Sequence, residues 1–186
     1  MLEVKALLFD VFGTVVDWRT GIAIEVQMIA KKYNIELNAD DFADAWRAEY
    51  QPAMEQIRSG KRSFTILDIL HLENLKKIAP RFNLNNLSNE DLNFLVSAWH
   101  RLPGWPDSSQ GLNKLKKKFV LATQSNGNIA LMVNMAKYSN LSWDVILGAE
   151  VLGHYKPEPE AYVKACKALN LKPSECLMVA AHDDDL

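Results

Sequence analysis

The chain has only two cysteines in 186 residues, Cys166 and Cys176. They fall in different expected elements and lack metal-ligand spacing, so neither a disulfide framework nor a thiolate metal site follows from them. The expectation is a reduced, cytoplasmic protein in which both are small core residues. Charge of one sign is scarce as well: 21 basic and 23 acidic residues leave a formal −2. That balance carries no electrostatic footprint for nucleic acid or an anionic membrane. The densest basic run, Lys114 with Lys116, Lys117 and Lys118, precedes an apolar stretch and reads as a solvated helix end. No segment approaches the ~20 consecutive apolar residues that cross a bilayer. The opening MLEVKALLFDVFG has neither a basic leader nor a small-residue cleavage site. Internal repeats and low-complexity tracts are missing too.

What is present is a periodic pattern of two kinds. Short apolar runs at 4–9, 119–123, 145–147 and 176–180 have the length of strands buried on both faces. Helical patterns at 128–138 and 158–169 separate the later ones, which implies right-handed crossovers and a parallel sheet. Residues 18–103 carry no convincing strand and about four amphipathic helices. Thr20 is placed to cap the first, whose apolar face is Ile22, Val26, Ile29, Ala30 and Tyr33. The second runs over 39–58 with Phe42, Trp46, Tyr50, Met54 and Ile57 on one side, and Pro52 should kink it. The third carries Phe64, Leu67, Leu70, Leu75 and Ile78. The fourth starts at Ser88, with Asp91 three residues on in a capping-box pattern. The fold class expected is α/β, a Rossmann-like parallel sheet core (1–17 and 104–186) with an inserted all-helical cap subdomain (18–103). The insert follows the carboxyl end of the first strand, where open α/β sheets place their ligands, and is positioned to act as a lid.

Four polar groups converge on that sheet edge. Asp10 ends the first apolar run and must be hydrogen-bonded or paired, since burying it bare costs several kcal/mol. Alone it reads equally as an acceptor for turn amides before Gly13. LATQSNGN ends the second strand signal with Ser125, Asn126, Gly127 and Asn128 leading into a helix, which is either an anion seat or a plain N-cap. Lys156 precedes Pro157 in a loop. His182, Asp183, Asp184 and Asp185 end the fourth run, either as functional groups or as an acidic helix cap.

In this order, D-x-x-G-T, Ser-Asn-Gly, Lys-Pro and an acidic last strand end resemble the haloacid dehalogenase superfamily over essentially the whole chain. RSFTILDILHLENL, WHRLPGWPD, SNGN, YKPEPEAY and VAAH…DL look like its type II L-2-haloacid dehalogenase branch. The resemblance implies a hydrolase that converts L-2-haloacids to D-2-hydroxy acids through an ester on Asp10. It implies Thr14 as the group orienting Asp10, Lys156 as its counter-charge, and Asp185 with His182 as the pair positioning water. Ser125 would bind the substrate carboxylate, Arg47 and Asn126 the departing halide, and Tyr162 would stand beside the nucleophile. Superfamily phosphatases use D-x-D and Mg²⁺, but here the second acid is replaced by Phe12. A halide is a weak base and leaves without a proton, so an aromatic ring is free to wall an apolar pocket there. The phosphatases' metal-binding Asp falls on Ala181, so no cofactor is expected, and Mg²⁺ only under a phosphatase reading. Many relatives have Asn at His182, Ser at Ala180 and, in some, Trp at Asp184.

Three functions therefore stand side by side: a metal-independent dehalogenase acting on a small 2-halocarboxylic acid, a phosphatase with a rebuilt metal site, and a catalytically silent protein that binds a small carboxylate or a partner. Family members continue for about another helix and strand, so the end at Leu186 reads as that of a shortened chain. A homodimer would cover the sheet edge left open there.

Overall fold

The computed structural model describes residues 3–185. The first apolar run becomes β1 (Ala6–Phe9), buried at all four positions. Burial on both faces follows from its place between β2 (Val120–Thr123) and β3 (Cys176–Val179), in a parallel sheet of order β2-β1-β3. The register sets Phe9 beside both Thr123 and Val179. All three strands therefore end at one level, and the residues that follow them share one edge. The run at 145–147 does not become a strand. Val145 makes a single parallel bridge to Ala122 beside β2. The Thr123 hydroxyl then takes the next rung, accepting from Leu147 N (2.9 Å) and donating to Leu147 O (3.2 Å), so the ladder stops.

Between Asp17 and Pro103 the described residues form helices and the loops that join them. The helices are α1 (Trp18–Tyr33), α2 (Ala39–Ala48), α3 (Tyr50–Arg58), α4 (Leu67–Ile78) and α5 (Asn89–Val96). The chain enters and leaves this segment side by side: Val16 bridges Gly104, and Asp17 N–H donates to Pro103 O at 2.8 Å. Asp17, not Thr20, caps α1, its carboxylate accepting from Thr20 N at 3.1 Å. The single helix expected over 39–58 is two. The break falls at Glu49, while Pro52 sits in the first turn of α3, where its missing N–H costs nothing. Ser88 caps α5 as the spacing suggested, accepting from Asp91 N at 3.1 Å.

The remaining helices, α6 (Ser108–Leu115), α7 (Ile129–Tyr138), α8 (Ala149–Leu152) and α9 (Pro159–Ala168), flank the sheet strands in sequence. β3 is an edge strand among the described elements, and Leu177 on it is 51% exposed. Leu186, on which the shortened-chain reading turned, lies outside the described residues. Cap and sheet are not packed as separate bodies. One continuous cluster joins Leu7, Phe9 and Leu121 of the sheet to Ile22, Trp46, Leu70 and Trp99 of the helical segment. Trp99 is its hub, fully buried and in ring contact with Phe12, Trp18, Trp46 and His71. Trp99→Ala is expected to destabilise the protein by about 3–5 kcal/mol, read as a lower urea midpoint with an unchanged slope.

Candidate active site

Asp10 continues the β1 ladder, its N–H donating to Val179 O at 3.0 Å, and its side chain is buried at the strand end. The chain then turns sharply, with Gly13 at φ +89°, a conformation that favours glycine. The turn brings the Thr14 hydroxyl back to donate to Asp10 Oδ2 at 2.7 Å. Ala181 N–H donates to the same hydroxyl oxygen at 2.9 Å, so Thr14 connects the ends of β1 and β3.

Lys156 lies in the loop before α9 and is almost fully buried. Its ammonium donates to Asp10 Oδ1 (2.9 Å) and to Asp185 Oδ2 (2.7 Å). The Tyr162 hydroxyl, from α9, donates to the other Asp185 oxygen at 2.9 Å. The backbone of Lys156 is held as firmly. Its N–H donates to Asn126 Oδ1 at 2.7 Å, and its carbonyl accepts from Arg58 Nη1 of α3 at 3.1 Å. The result is a buried chain Asp10–Lys156–Asp185–Tyr162 in which one cation separates two carboxylates.

These groups face a cleft of about 330 Å³ between α2–α3 and the sheet edge. Asp10, Arg47, Asn126, Lys156, His182 and Asp185 all line it, with Tyr50 and Gln51 on the helical side. Arg47 stands over the rings of Tyr50 (3.8 Å), Trp18 (5.5 Å) and Phe12 (5.7 Å). Its Nη1 is buried with no hydrogen-bond partner among the described residues. A buried N–H donor in that state is still owed a hydrogen-bond acceptor. His182 donates from Nε2 to Phe12 O at 2.9 Å. A carbonyl only accepts, so that nitrogen carries the hydrogen.

Several expected groups are elsewhere. Phe12 does not wall the cleft: its ring is buried beneath Arg47, edge-on to Trp99 and Tyr50. Ser125 is buried too, its hydroxyl accepting from Gly127 N at 3.3 Å, and it does not line the cleft. The helix N-terminus after Asn128 is no free anion seat, because Glu150 already accepts from Ile129 N at 2.8 Å. Asn128 does not cap α7 with its side chain. It pairs instead with Asp68 of α4, donating to Oδ2 at 2.9 Å and accepting from Asp68 N at 3.3 Å. Tyr162 acts one bond back, on Asp185, whereas Thr14 donates to Asp10 itself. The Asp184 side chain lies outside the described residues.

Sequence reasoning also passed over groups that tie the helices to the site. Tyr155 donates to Thr65 O at 2.6 Å and stacks on Phe64 at 5.1 Å. His71 is fully buried beneath Arg47, stacked on Trp99 at 4.3 Å, and neither ring nitrogen has a partner among the described residues. Burial pushes its pKa down to about 3, and the nearby Arg47 charge adds to the shift while Asp68 opposes it. The ring stacked on Trp99 and Tyr50 is thus an uncharged imidazole.

The chain matches the family described as haloacid dehalogenase-like hydrolase over residues 4–185. It is 28% identical over 190 residues to (S)-2-haloacid dehalogenase 1 of Pseudomonas sp. (strain CBS-3), covering 100% of this chain and 80% of that one. It superposes on the defluorinating L-2-haloacid dehalogenase Rha0230 with a TM-score of 0.95 at 46% identity, covering 98% of this chain and 75% of that one. A phosphoglycolate phosphatase of Aquifex aeolicus (strain VF5) is 26% identical over 187 residues, covering 98% of this chain and 78% of that one.

The buried neutral His71 has a measurable consequence. In the unfolded chain it protonates near 6.5, but in the folded protein only near 3. Its contribution is complete above pH 6.5 and is lost as pH falls toward 3, at up to about 1.4 kcal/mol per pH unit. Unfolding free energy measured from pH 6.5 to 5, above the carboxylate range, should fall with pH in the native protein and flatten in His71→Phe.

Proposed function

The chain belongs to the haloacid dehalogenase-like hydrolases, and from that premise we propose that it hydrolyses L-2-haloacids, the (S)-2-halocarboxylic acids, to D-2-hydroxy acids. One observation carries the choice of reaction within the family. The carboxylate at the tip of β1 opens onto the cleft beside a lysine, while position 12 holds a buried phenyl ring in place of a proton-donating acid. A leaving alkoxide needs that proton and a leaving halide does not.

The substrate carboxylate and halogen enter as negative or electron-rich groups. Asp10 attacks as a carboxylate, with the Lys156 ammonium at 2.9 Å as its counter-charge. A lone pair of Asp10 attacks C2 from behind the carbon–halogen bond. C2 inverts, an ester to Asp10 forms, and the halide leaves with the bonding pair. The unpartnered Nη1–H of Arg47 and the amide of Asn126 take up the charge on the halide. Preformed donors of this kind cost no reorganisation as charge develops. Water, positioned by Asp185 and His182, then attacks the Asp10 acyl carbon, and the proton it loses to Asp185 passes to the departing C2 oxygen, which leaves as the product hydroxyl. The Asp10–C2 oxygen leaves with the hydroxy acid, and the second oxygen of the regenerated carboxylate comes from water. Thr14 holds Asp10 in one orientation through both steps. Ser125 serves this reading less directly than the sequence suggested, supporting the 125–127 turn that presents Asn126.

The expected result with L-2-chloropropionate is chloride release with formation of D-lactate, unaffected by a chelator. Asp10→Asn should lower halide release by about 10⁴–10⁶-fold. Trapping in ¹⁸O-water under single turnover should place the label first in Asp10 and not in the product. Loss of turnover in EDTA, restored by Mg²⁺, would favour the phosphatase reading instead.

A further inference from the structure

A divalent cation at the first-strand carboxylate is the cofactor that the phosphatase side of the family would suggest. The residues present do not fit one. Mg²⁺ wants about six hard oxygen ligands at roughly 2.0–2.1 Å. Asp10 Oδ1 is already held by Lys156 Nζ at 2.9 Å and Oδ2 by Thr14 Oγ1 at 2.7 Å. Position 12 presents a phenyl ring and position 181 a methyl group. Among the described residues no cluster of three His, Cys, Asp or Glu side chains could hold a metal ion.

One further oxygen at this spot, the Phe12 carbonyl, is also taken. His182 Nε2 donates to it at 2.9 Å and stands 3.9 Å from Asp10 Oδ2. The positive end of an N–H dipole therefore lies against the two oxygens that a cation would join. The turn is shaped to admit the ring. A Cβ on Gly13 would come to 3.0 Å from His182 Nε2 and 3.3 Å from Cε1, so residue 13 is bare where the imidazole enters.

We propose that the imidazole of His182 takes the place of the metal ion, its N–H holding the Phe12 carbonyl and its ring keeping Mg²⁺ or Mn²⁺ off the Asp10–Phe12 oxygen pair. His182 thereby adds a steric and electrostatic block to the scarcity of ligands, and its removal leaves the Asp10–Phe12 oxygen pair open to a divalent cation. Nothing in this depends on the substrate: the block is a property of the β1 turn and holds whether or not the chain acts on haloacids.

The test is Mn²⁺ binding to the full chain, followed by electron paramagnetic resonance, with circular dichroism as the check on folding. The native protein should leave the signal of hydrated Mn²⁺ unchanged. His182→Asp, which sets a carboxylate beside the Phe12 carbonyl, should bind one Mn²⁺ on the order of tenfold or more tighter than the native chain. Adding Asp10→Asn to that variant should remove the gain. If His182→Asp does not fold, His182→Ala carries the test, since vacating the ring alone should yield Asp10-dependent binding above the native level. Stoichiometric, Asp10-dependent Mn²⁺ binding by the native protein would overturn the proposal. So would a folded His182→Asp, or in its place a folded His182→Ala, that binds no better than native. Halide release assayed in parallel separates this result from the dehalogenase reading.

Discussion

A single ammonium group shared between two buried carboxylates organises this molecule. Lys156 draws the tip of β1, the turn after β3 and the loop before α9 to within about 3 Å of one nitrogen. Burying Asp10 and Asp185 without that cation would leave two uncompensated charges in a region of low polarity, at a cost of several kcal/mol each. The backbone of the same residue is held at both of its polar atoms, by Asn126 from the β2 end and Arg58 from α3. Four separate stretches of chain thus meet at one residue. The charge balance follows: Asp10 and Asp185 are met by Lys156 and by Arg47 across the cleft. An arriving carboxylate or a departing halide finds one cation already committed and one with no ion pair among the described residues.

That unpaired cation rests on an aromatic bed. Tyr50, Trp18 and Phe12 turn ring faces toward the Arg47 guanidinium, a contact that holds the charge without consuming its N–H donors. Beneath them His71 is kept neutral by burial. A charged imidazole there would repel Arg47 and bury a second cation out of reach of water. The position of Phe12 explains its size. The ring supports the donor from below, where an acid would have competed for it.

The parts of this arrangement visible in the sequence are those that announce themselves locally. Asp10 and Asp185 follow apolar runs and Lys156 precedes a proline, and each carries chemistry at the end of an element. The alternation of strand and helix likewise gives the parallel sheet. What was not visible depends on partners far away in the chain. Nothing near Asn128 says that Asp68 will take its amide, or that Glu150 will reach the α7 N-terminus first. The 145–147 run has the composition of a strand, yet a single hydroxyl on Thr123 captures its next rung. Pro52 looks like a kink in a long helix because the break at Glu49 has no residue signature of its own. Tyr155 and His71 have no charge or spacing to mark them, and their roles come from stacking, burial and, for Tyr155, a hydrogen bond to the distant Thr65 carbonyl.

The helical segment and the sheet share one hydrophobic cluster, and three polar ties, Tyr155–Thr65, Arg58–Lys156 and Asp68–Asn128, stitch them together along the cleft. Swinging the helices away as a rigid body would expose Trp99 and Phe12 to water and break all three ties at once. The architecture therefore behaves as a keyhole rather than a clamshell. Any change in what the cleft of about 330 Å³ admits then falls to side chains such as Tyr50 and Gln51 in its lining, not to a movement of the whole helical segment.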